Sequence, residues 1–214
     1  MSFRINTMLL MLALAVPAIA ADNAAGLKAF RSGDYAAAYR EWKPLADQGD
    51  ANAQCSLGIL YEKGLGVSKD ASEAFRLFQL SADKGNSQAE FQLAQMYAKG
   101  WGVPQSYSAA LLWTQKSAAA GDPDGENRMG WLYDEGFGVQ KDAKQAAYYY
   151  RLAAEKGNAD AQYSLGLAYE KGSGVHKDNE EAVKWLKLAA KQGNGKAAAE
   201  LDAMAQKEQL ATKK

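Results

Sequence analysis

Apolar residues recur along the chain in paired blocks, and each block has the spacing of a helix. In the first clear block, apolar side chains stand at i, i+4, i+7 and i+8, at Ala53, Leu57, Leu60 and Tyr61. This spacing places them on one helical face. A second block follows after a glycine-containing turn and carries Ala74 at its start. The pattern predicts amphipathic helices that occur in pairs, with a short turn inside each pair.

The paired blocks repeat every 36 residues. A tyrosine just before each turn marks the period, at Tyr61, Tyr97, Tyr133 and Tyr169. The turns themselves read Gly-x-Gly-Val, and an alanine column and a closing glycine follow in every unit. A fixed period of this size indicates stacked supersecondary units. We therefore expect four full units, at residues 51–86, 87–122, 123–158 and 159–194.

Helix boundaries are marked by residues that favour capping. First helices should begin after Asp50, Asn86, Asp122 and Asn158, and second helices after Asp70, Ser106, Asp142 and Asp178. Such side chains accept hydrogen bonds from the free N–H groups of the first turn. Glu73, Gln145 and Glu181 stand three residues after their caps, as in a capping box. The closing glycines suit the left-handed conformation that often ends a helix.

The Gly-x-Gly-Val turn has two possible functions. A phosphate-binding loop of the dinucleotide type needs a strand before it, so that amides and a helix N-terminus converge on the phosphate. Here a helix precedes the turn, and the turn occurs four times. We therefore interpret the glycines as permitting a tight reversal between two packed helices.

Both ends of the repeat array predict caps. Residues 21–50 read as a degenerate helix pair whose turn has shrunk to Ser32-Gly33-Asp34. Pro44 lies inside the second helix of that pair and should bend or interrupt it. Residues 195–214 continue the apolar columns of a first helix and then become polar, as a terminal capping helix would. The chain should thus hold eleven helices.

These units resemble the Sel-1-like repeat, a relative of the tetratricopeptide repeat. The fourth unit, ADAQYSLGLAYEKGSGVHKDNEEAVKWLKLAAKQGN, carries the pattern almost in full. The second unit departs from it with Ala94 for the usual glycine and Ser106 for aspartate, and the third with Gly125 and Glu126 for Ala-Gln. The resemblance implies an all-α fold, a right-handed superhelical α/α solenoid of stacked antiparallel helix pairs. It also implies a scaffold that engages partner proteins.

Residues 1–20 have the layout of a secretory signal peptide. Arg4 precedes an apolar run that ends in Ala18-Ile19-Ala20, a small-x-small cleavage site. The run is too short for the roughly 20 residues that span a bilayer. We expect cleavage after Ala20 and a periplasmic or secreted protein without stable membrane insertion.

Charge and chemistry exclude several classes of function. Lysine plus arginine number 25 and aspartate plus glutamate number 25, so no basic excess favours nucleic acid. The only histidine, His176, lies in a turn at a position of variable residue type. The only cysteine, Cys55, is interpreted as a small apolar helix residue. With no His/Cys cluster and no convergent acid and base, we expect no metal, no cofactor and no enzyme activity.

The leading hypothesis is a non-catalytic, exported adaptor that binds another protein or peptide as a monomer. The alternative is an envelope hydrolase or glycan-binding protein that acts on cell-wall material, by analogy with β-lactam-binding relatives. In a helix-pair solenoid the first helices line the concave side. The candidate partner-binding residues on them are Phe91, Gln95, Asn127, Trp131, Tyr163 and Leu167. Two other interpretations stay open: these side chains pack between neighbouring helices, or the site lies at the turn residues Leu65, Trp101 and Phe137.

Overall fold

The computed structural model of the protein describes residues 23–212, and side chains up to Lys207. The expected signal peptide at residues 1–20 lies outside the described residues. Within 23–212 there are eleven α-helices and no strands. They are α1 Asn23–Arg31, α2 Tyr35–Asp47, α3 Ala51–Lys63, α4 Ala71–Ala82, α5 Ser87–Lys99, α6 Tyr107–Ala119, α7 Pro123–Glu135, α8 Ala143–Glu155, α9 Ala159–Lys171, α10 Asn179–Lys191 and α11 Gly195–Thr212.

Each helix packs against its neighbours in sequence, as stacked helix pairs require. The pairs α3/α4, α5/α6, α7/α8 and α9/α10 correspond to the four repeats, with α1/α2 before them and α11 after them. One further contact joins α5 to α7, the first helices of repeats 2 and 3. The expected helix count and the helical solenoid are thus confirmed for the described residues.

The N-caps stand where the sequence places them. Asp50 accepts from the Ala53 amide at 2.8 Å, and Asp70 accepts from the amide of Glu73 at 3.0 Å. The return bond of the predicted capping box, from the Asp70 amide to the Glu73 side chain, is wrong, however. The Asp70 amide donates instead to the Tyr61 carbonyl at 3.0 Å, and Glu73 forms an ion pair with Arg76. The amides of Ser106, Asp142 and Asp178 bond the equivalent tyrosine carbonyls. This bond therefore closes every Gly-x-Gly-Val turn.

The turn glycines make the tight reversal that was expected. Gly64, Gly100, Gly136 and Gly172 end the first helices in the left-handed conformation. The second glycine of the turn also lets the loop approach the preceding repeat. A Cβ on Gly102, for example, would overlap the carbonyl oxygen of Ala71 at the start of α4.

The interruption of α2 expected at Pro44 is not seen, because α2 continues through Pro44 to Asp47. The last described helix, α11, packs against α10 of the fourth repeat. Ala197 is fully buried against Leu186 and Ala189 of α10, with Leu201 and Met204 beside them. Within residues 23–212, no helix combines the length and apolarity that a membrane crossing requires.

Adjacent repeats are also joined by polar side chains that bond to the closing turn before them. Lys156 donates to the Gly121 carbonyl at 2.8 Å, and Gln192 donates to the Gly157 carbonyl at 3.0 Å. Lys84 makes the equivalent bond to Gly49. The corresponding residue of repeat 2 is Ala120, which has no side-chain donor. Repeat 2 therefore lacks a bond that its neighbours make.

Candidate functional site: an apolar cavity between repeats 2 and 3

In most helix pairs, a large side chain of the second helix packs against a glycine of the first helix. A Cβ on Gly58 of α3 would lie 2.6 Å from the ring of Phe78 on α4. The same relation holds between Gly130 and Tyr150, between Gly166 and Leu186, and between Gly26 and Trp42 of the opening pair. The absence of a side chain on the first helix thus makes room for a large one from the second.

Repeat 2 has neither the glycine nor the large side chain. Ala94 replaces the glycine, and Thr114 stands where the other repeats have phenylalanine, tyrosine and leucine. The added methyl group is small, whereas the loss of a large apolar side chain is not. Thr114 donates its hydroxyl to the Ala110 carbonyl at 2.8 Å, and its side chain is too short to occupy the space that Phe78, Tyr150 and Leu186 take up in the other pairs.

A cavity of about 560 Å³ opens at this point. The walls come from α5, α6, α7 and the turn after α7. Its lining residues are Phe91, Ala94, Gln95, Ala98, Tyr107, Ala110, Leu111, Thr114, Arg128, Trp131, Leu132, Phe137 and Gly138. The volume lies within the roughly 300–1,000 Å³ typical of small-ligand pockets, which are also mostly apolar.

Aromatic side chains form the accessible wall of the cavity. Trp131 and Phe137 stack with ring centroids 5.1 Å apart. Phe137 and Tyr107 are both exposed, and Tyr107 is 71% exposed. Large apolar side chains left in contact with water in a concave surface are typical of interaction sites.

The turn of repeat 3 helps to keep the cavity open. Gly138 is the counterpart of Gly102, but the nearest atom to a Cβ at Gly138 would be Leu111 Cδ2, at 3.3 Å. The turn of repeat 3 therefore does not contact the backbone at the start of α6 as closely as the turn of repeat 2 contacts the start of α4. The turn of repeat 3 thus lies less close to the preceding repeat than the turn of repeat 2 does.

The sequence-predicted site residues fall into two neighbouring places. Phe91, Gln95 and Trp131 line the cavity. Asn127 and Tyr163 line a separate recess between α7, α9 and the start of α11, which Trp131 also borders. Leu167 is half-buried and lines neither.

The predicted aromatic residues also differ in the apolar clusters that they pack against. Tyr163 packs against the cluster of Leu186, Ala189 and Ala197, and Trp131 packs partly against Met129 and Leu132. Phe91 belongs to none of the apolar clusters of the described residues. Phe91 is half-buried and lines the cavity.

Sequence reasoning missed several residues of the cavity. Tyr107 and Thr114 lie on second helices, whereas the predicted site residues all lie on first helices, and Arg128 is the residue after Asn127. Ala94 was noted as a departure from the repeat. A comparison of its packing partner, Thr114, with Phe78, Tyr150 and Leu186 would have indicated the missing volume.

His176 and Cys55 are the side chains that the sequence singled out for possible catalytic or metal chemistry. His176 is exposed in its turn, and no group of three or more His, Cys, Asp or Glu side chains in 23–212 could hold a metal ion. Cys55 is buried, and burial raises the pKa of its thiol to about 12, with Asp122 and Glu62 adding to the shift. A thiol with such a pKa is a poor nucleophile at neutral pH.

Comparisons with known proteins agree with the repeat assignment. The family model described as Sel1 repeat matches residues 51–86, 87–122, 123–158 and 159–194. A solved Sel1 repeat protein from Oxalobacter formigenes is 34% identical, with a TM-score of 0.75, and the match covers 84% of this chain and 74% of that one. No curated protein matches the chain.

Two further solved structures share the fold. A protective antigen present in uropathogenic Escherichia coli strains and displaying an SLR fold is 31% identical, with a TM-score of 0.70. That match covers 84% of this chain but only 39% of the antigen. An immunity protein from Pseudomonas aeruginosa is 24% identical, with a TM-score of 0.58, over 81% of this chain and 67% of its own. The last likeness concerns the fold alone.

Proposed function

The chain belongs to the Sel1 repeat family, and from this premise we propose that it is an exported, non-catalytic adaptor. In this proposal a segment of a partner protein inserts a large apolar side chain into the cavity between repeats 2 and 3. Sel1 repeat proteins are generally protein-interaction scaffolds and are typically non-catalytic. Export, to the periplasm or beyond, is supported by the leader pattern of residues 1–20.

One observation carries the proposal: repeat 2 leaves unfilled the space that the other repeats fill. An unfilled apolar space lowers stability, because its lining loses both packing contacts and burial. Phe91, Tyr107 and Phe137 add apolar surface at the rim of the same space. A partner side chain would supply the missing contacts, and buried aromatic contacts often dominate binding free energy.

Site-specific photo-crosslinking in the native envelope tests the proposal. Benzoylphenylalanine at position 107 places the reactive group at the cavity rim. Position 112 is the matched control, since Leu112 lies on the same helix, is 52% exposed and does not line the cavity. We expect one partner segment, located by mass spectrometry, to crosslink at 107 and not at 112.

The substitution F91A provides the second arm of the experiment. Phe91 lines the cavity and lies outside the apolar clusters, so its removal should weaken the crosslink at 107 with little change in melting temperature. Equal capture at positions 107 and 112 would contradict the proposal. So would hydrolysis of peptidoglycan or of a chromogenic β-lactam that a single side-chain change abolishes, because that result would establish an enzyme.

A further inference from the structure

Arg128 is a cation without an anionic partner beside the cavity. Its side chain lines both the cavity and the recess next to it, and its guanidinium carbon lies 4.3 Å from the centroid of the Trp131 ring. In the part of the chain that the structure describes, Arg128 makes neither a salt bridge nor a side-chain hydrogen bond. The cation–π contact holds the guanidinium over the Trp131 ring, and its N–H groups make no hydrogen bond to the described residues.

Two acidic side chains, Asp124 four residues before Arg128 on α7 and Asp160 in the lining of the recess, form hydrogen bonds with other residues. Asp124 accepts from the Asn158 amide at 2.7 Å, and Asp160 accepts from the Asn194 amide at 3.0 Å. Burial lowers the pKa of Arg128, and no carboxylate raises it. A partly desolvated cation is unfavourable unless an anion accompanies it.

The position of Arg128 is neutral in the other three repeats. The corresponding residues, 36 positions apart, are Ser56, Gln92 and Ser164. Repeat packing therefore does not require an arginine here. The charge is particular to repeat 3, on the side that faces the cavity left by repeat 2.

We propose that Arg128 binds a carboxylate that stands next to the apolar side chain held in the cavity, so that the partner segment is an apolar residue with an adjacent negative charge. This inference rests on the proposed function, since it needs the cavity to be occupied. A planar guanidinium can donate two parallel hydrogen bonds to one carboxylate, and these charge-assisted bonds are stronger than neutral ones. The carboxylate is either the C-terminus of the partner or an Asp or Glu side chain beside the anchor.

Small probes separate the apolar and charged contributions. N-acetylphenylalanine carries an aromatic ring and a terminal carboxylate, whereas N-acetylphenylalaninamide has the same ring without the charge. Each would be titrated into the purified protein and followed by the NMR signals of the Trp131 indole and the Arg128 Nε–H. N-acetylphenylalanylaspartamide, with its charge on the next side chain, distinguishes the two sources of the carboxylate.

Of the two probes that carry a carboxylate, we expect the tighter binder to bind about tenfold more tightly than N-acetylphenylalaninamide at low ionic strength, as a charge-assisted hydrogen bond would give. In R128S, which places the serine of repeats 1 and 4 at this position, the two affinities should become equal. The matched control R76S removes an exposed arginine that pairs with Glu73, and it should leave the ratio unchanged.

Two other outcomes would overturn the inference, and they differ in what they imply. If the charged and neutral probes bind equally and R128S changes nothing, the cavity binds apolar groups but Arg128 has no part in recognition. If no probe binds at millimolar concentration, the cavity itself is not a binding site, and the proposed function fails with the inference.

Discussion

At the scale of single residues, one buried polar position that recurs in every repeat predicts the effect of a substitution on stability. Gln54 donates to the Ala46 carbonyl at 3.2 Å, and Gln162 donates to the Ala154 carbonyl at 3.1 Å. Both acceptors lie in the last turn of the preceding second helix. In repeat 2 the same position holds Glu90, which is 7% exposed and whose Oε2 has no hydrogen-bond partner among the described residues. A carboxylate cannot donate the bond that glutamine makes.

The substitution E90Q should therefore stabilise the protein by about 1 kcal/mol at pH 7, the typical net value of one hydrogen bond. Burial raises the pKa of Glu90 in the folded state, against a lowering by Lys116. Ionisation thus favours the unfolded state, and wild-type stability falls as the pH rises through the carboxyl titration. Urea unfolding should show the E90Q gain increasing from pH 4 to pH 7.

The control for this prediction is E126Q. Glu126 occupies the same column in repeat 3, and its Oε2 also lacks a partner among the described residues, but its Oε1 is paired with Lys156 at 2.6 Å, so its replacement should bring no gain. An E90Q gain that does not vary with pH would mean that the buried charge of Glu90 is not the cause.

Cys55 gives a second prediction at this scale. Because burial raises its thiol pKa to about 12, the native protein should hardly react with Ellman's reagent at pH 8. The reaction should proceed only as fast as the protein opens, and it should accelerate in urea in step with unfolding. Rapid labelling under native conditions would show that Cys55 is accessible and reactive.

At the scale of elements, sequence reasoning identified the helices and their caps but not every bond at their ends. Capping depends on residues close in sequence, so Asp70 could be identified as an N-cap. The reciprocal bond from Glu73 fails because the Asp70 amide is already satisfied by Tyr61, a residue in the preceding helix. That competition depends on how the turn folds back, which local propensity does not describe.

The turns offer a matched pair of substitutions, G102A and G138A. Both glycines have the same backbone conformation, with φ of 69° and 70°, so alanine adds the same backbone strain at each. Only at Gly102 would the new Cβ overlap the backbone of the preceding repeat, at Ala71. We expect G102A to destabilise the protein by at least ~1 kcal/mol more than G138A in denaturant unfolding.

Equal losses for G102A and G138A would contradict this account of the turns. That result would mean that the junction between repeats 2 and 3 is as tightly packed as the junction between repeats 1 and 2. The explanation of the cavity would then lose part of its support.

At the scale of the whole molecule, the 36-residue period was enough to predict the number and order of the helices. Each repeat packs on its neighbours, so the fold follows from columns that the sequence displays. The cavity could not be predicted with the same method, because it arises where the columns fail. It depends on two departures from the repeat, alanine for glycine at position 94 and threonine for a large apolar residue at position 114. These positions lie 20 residues apart, on two different helices.

The same columns predict the effect of removing the C-terminal helix. Deletion of residues 195–214 removes Ala197 and uncovers Leu186 and Ala189, which are fully buried in the complete chain. The truncated protein should unfold at a lower temperature and bind a hydrophobic dye. An unchanged melting temperature without aggregation would show that α11 is not a stabilising cap.

The expected leader makes a prediction that is independent of the fold. If residues 1–20 are a signal peptide, the exported protein begins at Ala21. Intact mass spectrometry of protein taken from outside the cytoplasm should therefore give the mass of residues 21–214. A species that retains residues 1–20 would contradict both the cleavage and the proposed route of export.

The central claim is that the Ala94–Thr114 departure creates a binding site, and the double substitution A94G/T114F tests it most directly. This variant introduces the glycine and phenylalanine of repeat 1, and the new ring should occupy the part of the cavity next to position 94, as Phe78 packs against Gly58. Calorimetric titration with N-acetylphenylalaninamide should show binding to the wild type and none to the variant, whose melting temperature should be equal or higher. Unchanged affinity in a folded A94G/T114F protein would contradict the claim.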